Sequence, residues 1–298
     1  MKRTDTPLAV ALLAALAAAA LLGGCAPRRP VAATTQPMGV AFLPCPGQFV
    51  STAGERLTLE QVVAEARGAD YILLGESHDN ACDHGVQARV LEALAATETP
   101  PVLGLEMVTV DRQGVLDAFG RGEVELDGLP EALDWPETWG FGFELYRPMF
   151  EVAQRFSLPV GALNVPRRIV DKVSELGPMN VAAEDRPYFP AEVVPPAPEQ
   201  EAMLREAFAM HAHAADGGEA ALERFFYVQS VWDSMMAERA VALNRKYGWP
   251  VVVLVGFGHV EHGWGIERRI RRLEPGARVF SVSPWRGERF DEIGRAHV

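Results

Sequence analysis

The chain has 298 residues, a formal net charge of −12 and 48% hydrophobic residues. That balance excludes a wholly disordered chain, and the acid excess argues against nonspecific nucleic-acid binding, which needs basic patches against phosphate. Three cysteines are too few for a disulfide-built scaffold or a four-cysteine zinc site.

The N-terminus reads as an address. Lys2 and Arg3 precede an unbroken run of Leu, Ala and Val from Leu8 to Leu22, then Gly23, Gly24 and Cys25. This is the order of a secretory signal, and the run is short for a membrane span, which needs about 20 apolar residues. Leu22-Gly23-Gly24-Cys25 is similar to a bacterial lipobox. The likeness implies cleavage after residue 24, lipid on Cys25 and, with Ala26 following, placement on the outer membrane facing the periplasm. Plain signal cleavage with a free Cys25 is the alternative. Residues 25–46 are rich in Pro and Ala and read as an extended tether. Cys45 and Cys82 could pair in an oxidising compartment, but spacing alone does not decide it.

From residue 47 onward, strand and helix patterns alternate. Tyr71–Gly75, Pro101–Leu105, Leu158–Leu163 and Val251–Val255 are nearly continuous apolar runs, as expected of strands covered on both faces; Val279–Val282 is a fifth. Helical periodicity occupies Leu59–Ala66, Gly85–Ala96, Leu145–Phe156 and Arg167–Leu176. The expectation is an α/β fold, a mainly parallel sheet flanked by helices. Residues from about 178 to 232 break the rhythm. A Pro-rich stretch leads into helical patterns from Glu199 to His213 and from Glu219 onward, interrupted at Gly217-Gly218. This predicts a smaller helical subdomain, with Asp111–Trp139 as a second candidate part of it. Ile293 to Val298 read as a loose end.

Sites in open α/β sheets form beyond the carboxyl ends of the strands. Four strands here finish on polar residues: Glu76 and His78, Glu106, Asn164, and His259 after Gly256-Phe257-Gly258. If the strands are parallel, these residues share one rim. Carboxylates at a buried edge are costly unless paired or bound to a cation, so imidazoles or a divalent metal are natural partners. Each residue also has a plainer role. Glu76 and Asp79 can serve the N-terminus of the helix near Cys82. His78 can be a hydrogen-bonded structural histidine. His84 faces either the rim or solvent. Asp233, in Trp232-Asp-Ser-Met-Met-Ala237, is either a helix contact or part of the site. Gly256-x-Gly258 is a poor dinucleotide fingerprint, and His259-Val-Glu-His262 matches no zinc-protease helix. His211 and His213, two apart, suit solvent better than joint chelation. No G-x-S-x-G elbow or Walker A sequence is present.

The ordered segments together resemble the ChaN-like haem-binding lipoproteins. They are Leu74-Gly-Glu-Ser-His-Asp-Asn80 with Gln87, Leu105-Glu-Met107, Trp139, Tyr146-Arg-Pro148, Ala162-Leu-Asn-Val-Pro166, Trp232–Ala237, and Val255-Gly-Phe-Gly-His-Val260 with Gly263 and Gly265. Phe257 departs from the small polar residue expected there. The resemblance implies a parallel-sheet domain with a smaller helical domain, haem stacked across a homodimer, a tyrosine ligand to iron, and a place in iron or haem uptake beside a transporter. Tyr146, Tyr227 and Tyr188 are the candidate ligands. Phenolate is a reasonable ligand for ferric haem. The rim is also similar to that of the wider superfamily that includes erythromycin esterases, Tiki and TraB-type proteins. That likeness implies an alternative, hydrolysis with His78 as base and the Glu residues orienting water or a metal.

Overall fold

The computed structural model describes residues 47–176, 181–210 and 214–285. Cys25, the tether, Cys45, His211, His213 and Ile293 to Val298 lie outside the described residues, so lipidation, the Cys45–Cys82 pairing and the loose end are not addressed by the fold. Cys82 itself is exposed.

A two-stranded antiparallel hairpin, β1 (Phe49–Val50) and β2 (Arg56–Leu57), opens the described chain. Helix α1 (Leu59–Ala66) starts on Thr58, whose side chain and that of Gln61 cap each other's backbone amides. The remaining strands form one sheet: β3 (Tyr71–Glu76), β4 (Val102–Thr109), β5 (Val160–Asn164), β6 (Val251–Gly256) and β7 (Val279–Val282). All pair in parallel, in the order β5-β4-β6-β3-β7. This is the expected α/β sheet, with β6 slotted between β3 and β4.

Successive side chains of a strand point to opposite faces, and both faces here are covered. Ile72, Leu74, Leu103, Leu105, Val252 and Leu254 enter one core. It contains residues of α2 (Ala81–Ala95), α3 (Gln113–Gly120), α4 (Phe143–Phe156) and α5 (Arg167–Leu176). Tyr71, Leu73, Val251, Val253 and Val255 enter the other, against Met236, Ala237, Ala240 and Ile270.

The helical subdomain is built from α6 (Pro198–Met210) and α7 (Ala214–Tyr247). The glycine break is real: Gly218 sits at φ 55°, ψ −158°, outside helical space. Beyond it α7 runs unbroken through residue 232 to Tyr247, so one helix carries the chain from the subdomain onto the sheet. Asp111–Trp139 is not part of that subdomain. It forms α3 and a strap of short helical turns whose Leu129, Leu133 and Trp135 are buried in the main core. Helix α8 (Ile266–Leu273) precedes β7.

Candidate functional site

The strand order places β6 between β3 and β4, so the three carboxyl ends meet. Glu76 of β3 lies abreast of Gly256 of β6, and the Gly256 amide donates to Glu106 Oε2 of β4 at 2.6 Å. The β4–β5 register shifts between Leu105 and Thr109, an irregularity that frames Glu106.

Two histidine–carboxylate pairs occupy this rim. In the first, His78 Nδ1–H donates to Glu76 Oε1 at 2.6 Å. Trp139 Nε1–H donates to the Tyr146 hydroxyl at 2.9 Å, and that hydroxyl donates to the same Glu76 oxygen at 3.3 Å. Glu76 is fully buried, and among the described residues its Oε2 has no hydrogen-bond partner. His84 Nε2 stands 4.0 Å from that oxygen and 3.3 Å from the His78 carbonyl, while His84 Nδ1 faces Gln87 Oε1 at 3.1 Å. Burial alone would lower the pKa of His78, but the hydrogen bond to Glu76 and the charges of Glu106 and Glu76 outweigh it and raise the value above its ordinary one.

In the second pair, His259 Nδ1–H donates to Asp233 Oδ1 at 2.6 Å, and Nε2 lies 3.4 Å from Glu106 Oε1. Burial opposes the imidazolium, yet the Asp233 and Glu106 charges push the His259 pKa up to about 10. Glu106 responds in kind. Burial would raise it, but the His259 charge and hydrogen bond, His78 and the Gly256 amide hold it below the usual carboxylate range. Asp233 Oδ2 accepts from Gln200 Nε2 at 3.0 Å and lies 3.0 Å from Arg269 Nη1. Arg269 is 1% exposed and also donates to the carbonyls of Val194, Trp264 and Gly265.

Two glycines make this packing possible. A Cβ on Gly256 would stand 2.8 Å from His78 Cε1 and 3.6 Å from Glu106 Oε2; one on Gly265 would stand 2.2 Å from the His259 carbonyl oxygen. Beside them, His262 holds a left-handed φ of 56° and stacks on Trp264 with centroids 4.1 Å apart. The outer wall of His78 is aromatic. Trp139 and Phe141 lie 4.8 and 4.9 Å from its ring, and Phe141 and Phe257 are among the large apolar side chains left exposed, at 37% and 36%.

Sequence reasoning therefore places Glu76, His78, His84, Glu106, Asp233 and His259 at one end of the sheet, and the structure brings them into contact. Asn164 ends edge strand β5, where its Oδ1 accepts from the Val165 amide. Among the described residues no group of three or more His, Cys, Asp or Glu is arranged to hold a metal ion, so the rim gives no support to a divalent metal. Tyr146 is fully buried; burial and the Glu76 charge push its phenol up, which disfavours the phenolate that a ferric ligand requires. Tyr188 and Tyr227 are partly buried beside the main core. Burial raises the Tyr227 phenol, opposed by Arg186.

Residues not singled out from the sequence are Arg269, Gln200 and Phe141. Arg269 sits in a basic run, Ile266–Leu273, that suggests a solvated face. Its signal is spacing: residues 266, 269, 270 and 273 share one side of a helix, so Arg269 lies among aliphatic neighbours.

A model of the haem-binding uptake family ChaN, of the Tiki superfamily, matches residues 62–270. This chain belongs to that family. The match spans all the rim residues and Arg269, its last residue being Ile270. Among solved structures, this ChaN family member is similar to ChaN of Campylobacter jejuni, described with cofacial haem binding. The two share 19% identity at a TM-score of 0.65, over 81% of this chain and 92% of that one, which establishes a common fold. An erythromycin esterase mutant in its open conformation aligns at 12% identity and TM-score 0.46, over 75% of this chain and 72% of that one. No curated protein matches the chain by sequence.

Proposed function

We propose that this chain is a haem-binding protein of the cell envelope, anchored by lipid on Cys25 and serving haem or iron uptake as a homodimer, beside a transporter. The family match over residues 62–270 carries the reading. The rim is compatible with haem. Exposed Phe141 and Phe257 suit a broad apolar plane, and the Glu76 and Glu106 carboxylates suit the positive charge of a ferric porphyrin centre. Bound haem would supply the iron centre; the protein's part is to hold and orient it. The lipobox supports the anchor, and the acidic chain is consistent with an envelope protein that binds no nucleic acid.

The test is titration of the purified full chain with ferric haem, following the Soret band and sedimentation together. A saturable spectral change with dimerisation is expected. A linear, unsaturated response like that of free haem refutes haem binding, and a monomer at saturation refutes the dimer.

A second reading, hydrolysis at the rim, is favoured by one observation. Glu76 fixes His78 through Nδ1, which leaves Nε2 as the lone-pair nitrogen of the neutral ring, the arrangement a general base requires. Turnover of an ester or amide that disappears in His78→Ala would support it; no turnover across ester, amide and peptide substrates would end it.

A further inference from the structure

We propose that Pro136–Gly142 is a lid over the rim: a loop closed on itself, whose Trp139 and Phe141 cover His78 and swing aside to admit a ligand. Such a lid serves either ligand reading above, since both need a way in.

The rim is polar but nearly sealed. Glu76, His84, Glu106 and Asp233 are buried, and His78 is the outermost of the group, its side chain 32% exposed. Titratable groups shut away from solvent meet a ligand only when something over them moves. The cover is this loop. Trp139 stands edge-on to the His78 ring with centroids 4.8 Å apart, and Phe141 tilts at 48° beside it at 4.9 Å. The Trp139 and Phe141 rings lie 5.9 Å from each other, so the two cover the histidine together.

The ends of the loop are pinned, and its far side is not. Trp135 just before it and Phe143 just after it are buried, and their rings meet edge-on with centroids 5.1 Å apart. A short loop between two touching anchors is of the Ω kind and can move as a unit without opening the core. Phe141 sits between two exposed glycines, Gly140 at φ 86° and Gly142. A Cβ on either would meet nothing within 4 Å. Neither glycine is there for close packing, and what both supply is backbone freedom on each side of Phe141.

Two hydrogen bonds fasten the closed position. Trp135 Nε1–H donates to the Phe141 carbonyl at 2.8 Å, and Trp139 Nε1–H donates to the Tyr146 hydroxyl at 2.9 Å. The second bond carries the position of the lid inward, because that hydroxyl donates to Glu76 Oε1, the oxygen that holds His78. Opening therefore strips Tyr146 of its donor and uncovers His78 in one movement. An apolar lid facing carboxylates suits a ligand with one apolar face and a positive or hydrogen-bond-donating group.

The experiment measures carbethoxylation of His78 by diethylpyrocarbonate in the full chain, located by peptide mass spectrometry. Rates are taken on the plateau above the His78 titration, where access rather than protonation sets them, and circular dichroism checks that each variant is folded. The wild type should react well below the rate of an unstructured histidine peptide, and Phe141→Ala, which removes an exposed ring, should react faster. Gly142 has φ −61°, which any residue accepts, so Gly142→Ala fits the closed loop and restricts only the open one. Its rate should fall by about two- to fivefold. Gly140→Ala strains the closed loop at its left-handed φ and should raise the rate by about fivefold or more. A wild-type rate equal to that of the free peptide overturns the cover. Acceleration in Phe141→Ala with both glycine variants at the wild-type rate shows a fixed wall and overturns the swing.

Discussion

Asp233→Asn tests the buried charge network most directly. The substitution keeps size and shape and removes one charge. Asp233 is 1% exposed, accepts from His259 at 2.6 Å and from Gln200 at 3.0 Å, and pairs with Arg269 at 3.0 Å. An Asn can present its oxygen to His259, but its amide then meets the Gln200 and Arg269 donors head-on. Removing one member of a buried pair typically costs about 3–5 kcal/mol, because the remaining charge stays buried without compensation. That range is expected for urea unfolding of the full chain at pH 7. The His259 titration should move with it. Asp233 is the largest influence raising that imidazole, so its pKa should fall from about 10 toward the ordinary histidine range. The pH profile follows. A histidine raised in the folded state contributes stability that is complete below its unfolded pKa and is lost as pH climbs to the folded value. Wild-type stability should therefore decline between about pH 6.5 and pH 10, by a ceiling of roughly 4–5 kcal/mol at 1.36 kcal/mol per unit. The variant should show a flatter profile. A loss under about 1 kcal/mol with an unchanged His259 titration by NMR would refute the network as a source of stability.

The other predictions concern the same rim. Arg269→Met removes the cation beside Asp233 and leaves the Val194, Trp264 and Gly265 carbonyls short of a donor, so a loss of about 3 kcal/mol is expected in urea unfolding; a neutral result would mean the pocket repacks freely. Gly256→Ala should cost about 1–3 kcal/mol and visibly shift the His78 ring resonances, since the new methyl meets a side chain that can turn away. Gly265→Ala should cost more, because its Cβ meets the fixed carbonyl of His259; equal losses for the two variants would contradict the geometry. Tyr146→Phe should cost about 1 kcal/mol and leave the haem spectrum unchanged, whereas a lost Soret shift would restore Tyr146 as a ligand.

The sheet was legible because parallel strands buried on both faces must be apolar throughout, and Tyr71–Gly75 and Val251–Val255 have that pattern. The rim was legible because polar residues that end such strands converge by topology. Glu76, Glu106 and His259 needed no knowledge of side-chain contacts to be placed together. Asn164 follows the same logic, but strand order is not readable from apolar runs, and β5 lies at the edge beside β4. Arg269 was obscured by its charged neighbours. The segment Asp111–Trp139 reads from sequence as a candidate part of the helical subdomain, and only its packing shows Trp135 in the main core. The hairpin of β1 and β2 is too short to leave a periodic signal.

The slot that β6 fills has a consequence for how the chain reaches this state. During synthesis β3, β4 and β5 emerge long before Val251, so the early chain holds two strand edges with a vacant place between them. Unpaired edges recruit other chains, and pairings distant in sequence form late. The last insertion that closes those edges is also the one that delivers Gly256 to Glu106 and His259 to Asp233. A chain truncated before residue 251 would therefore expose adhesive edges and lack the rim in a single defect, and completion of the rim and protection from aggregation are one event.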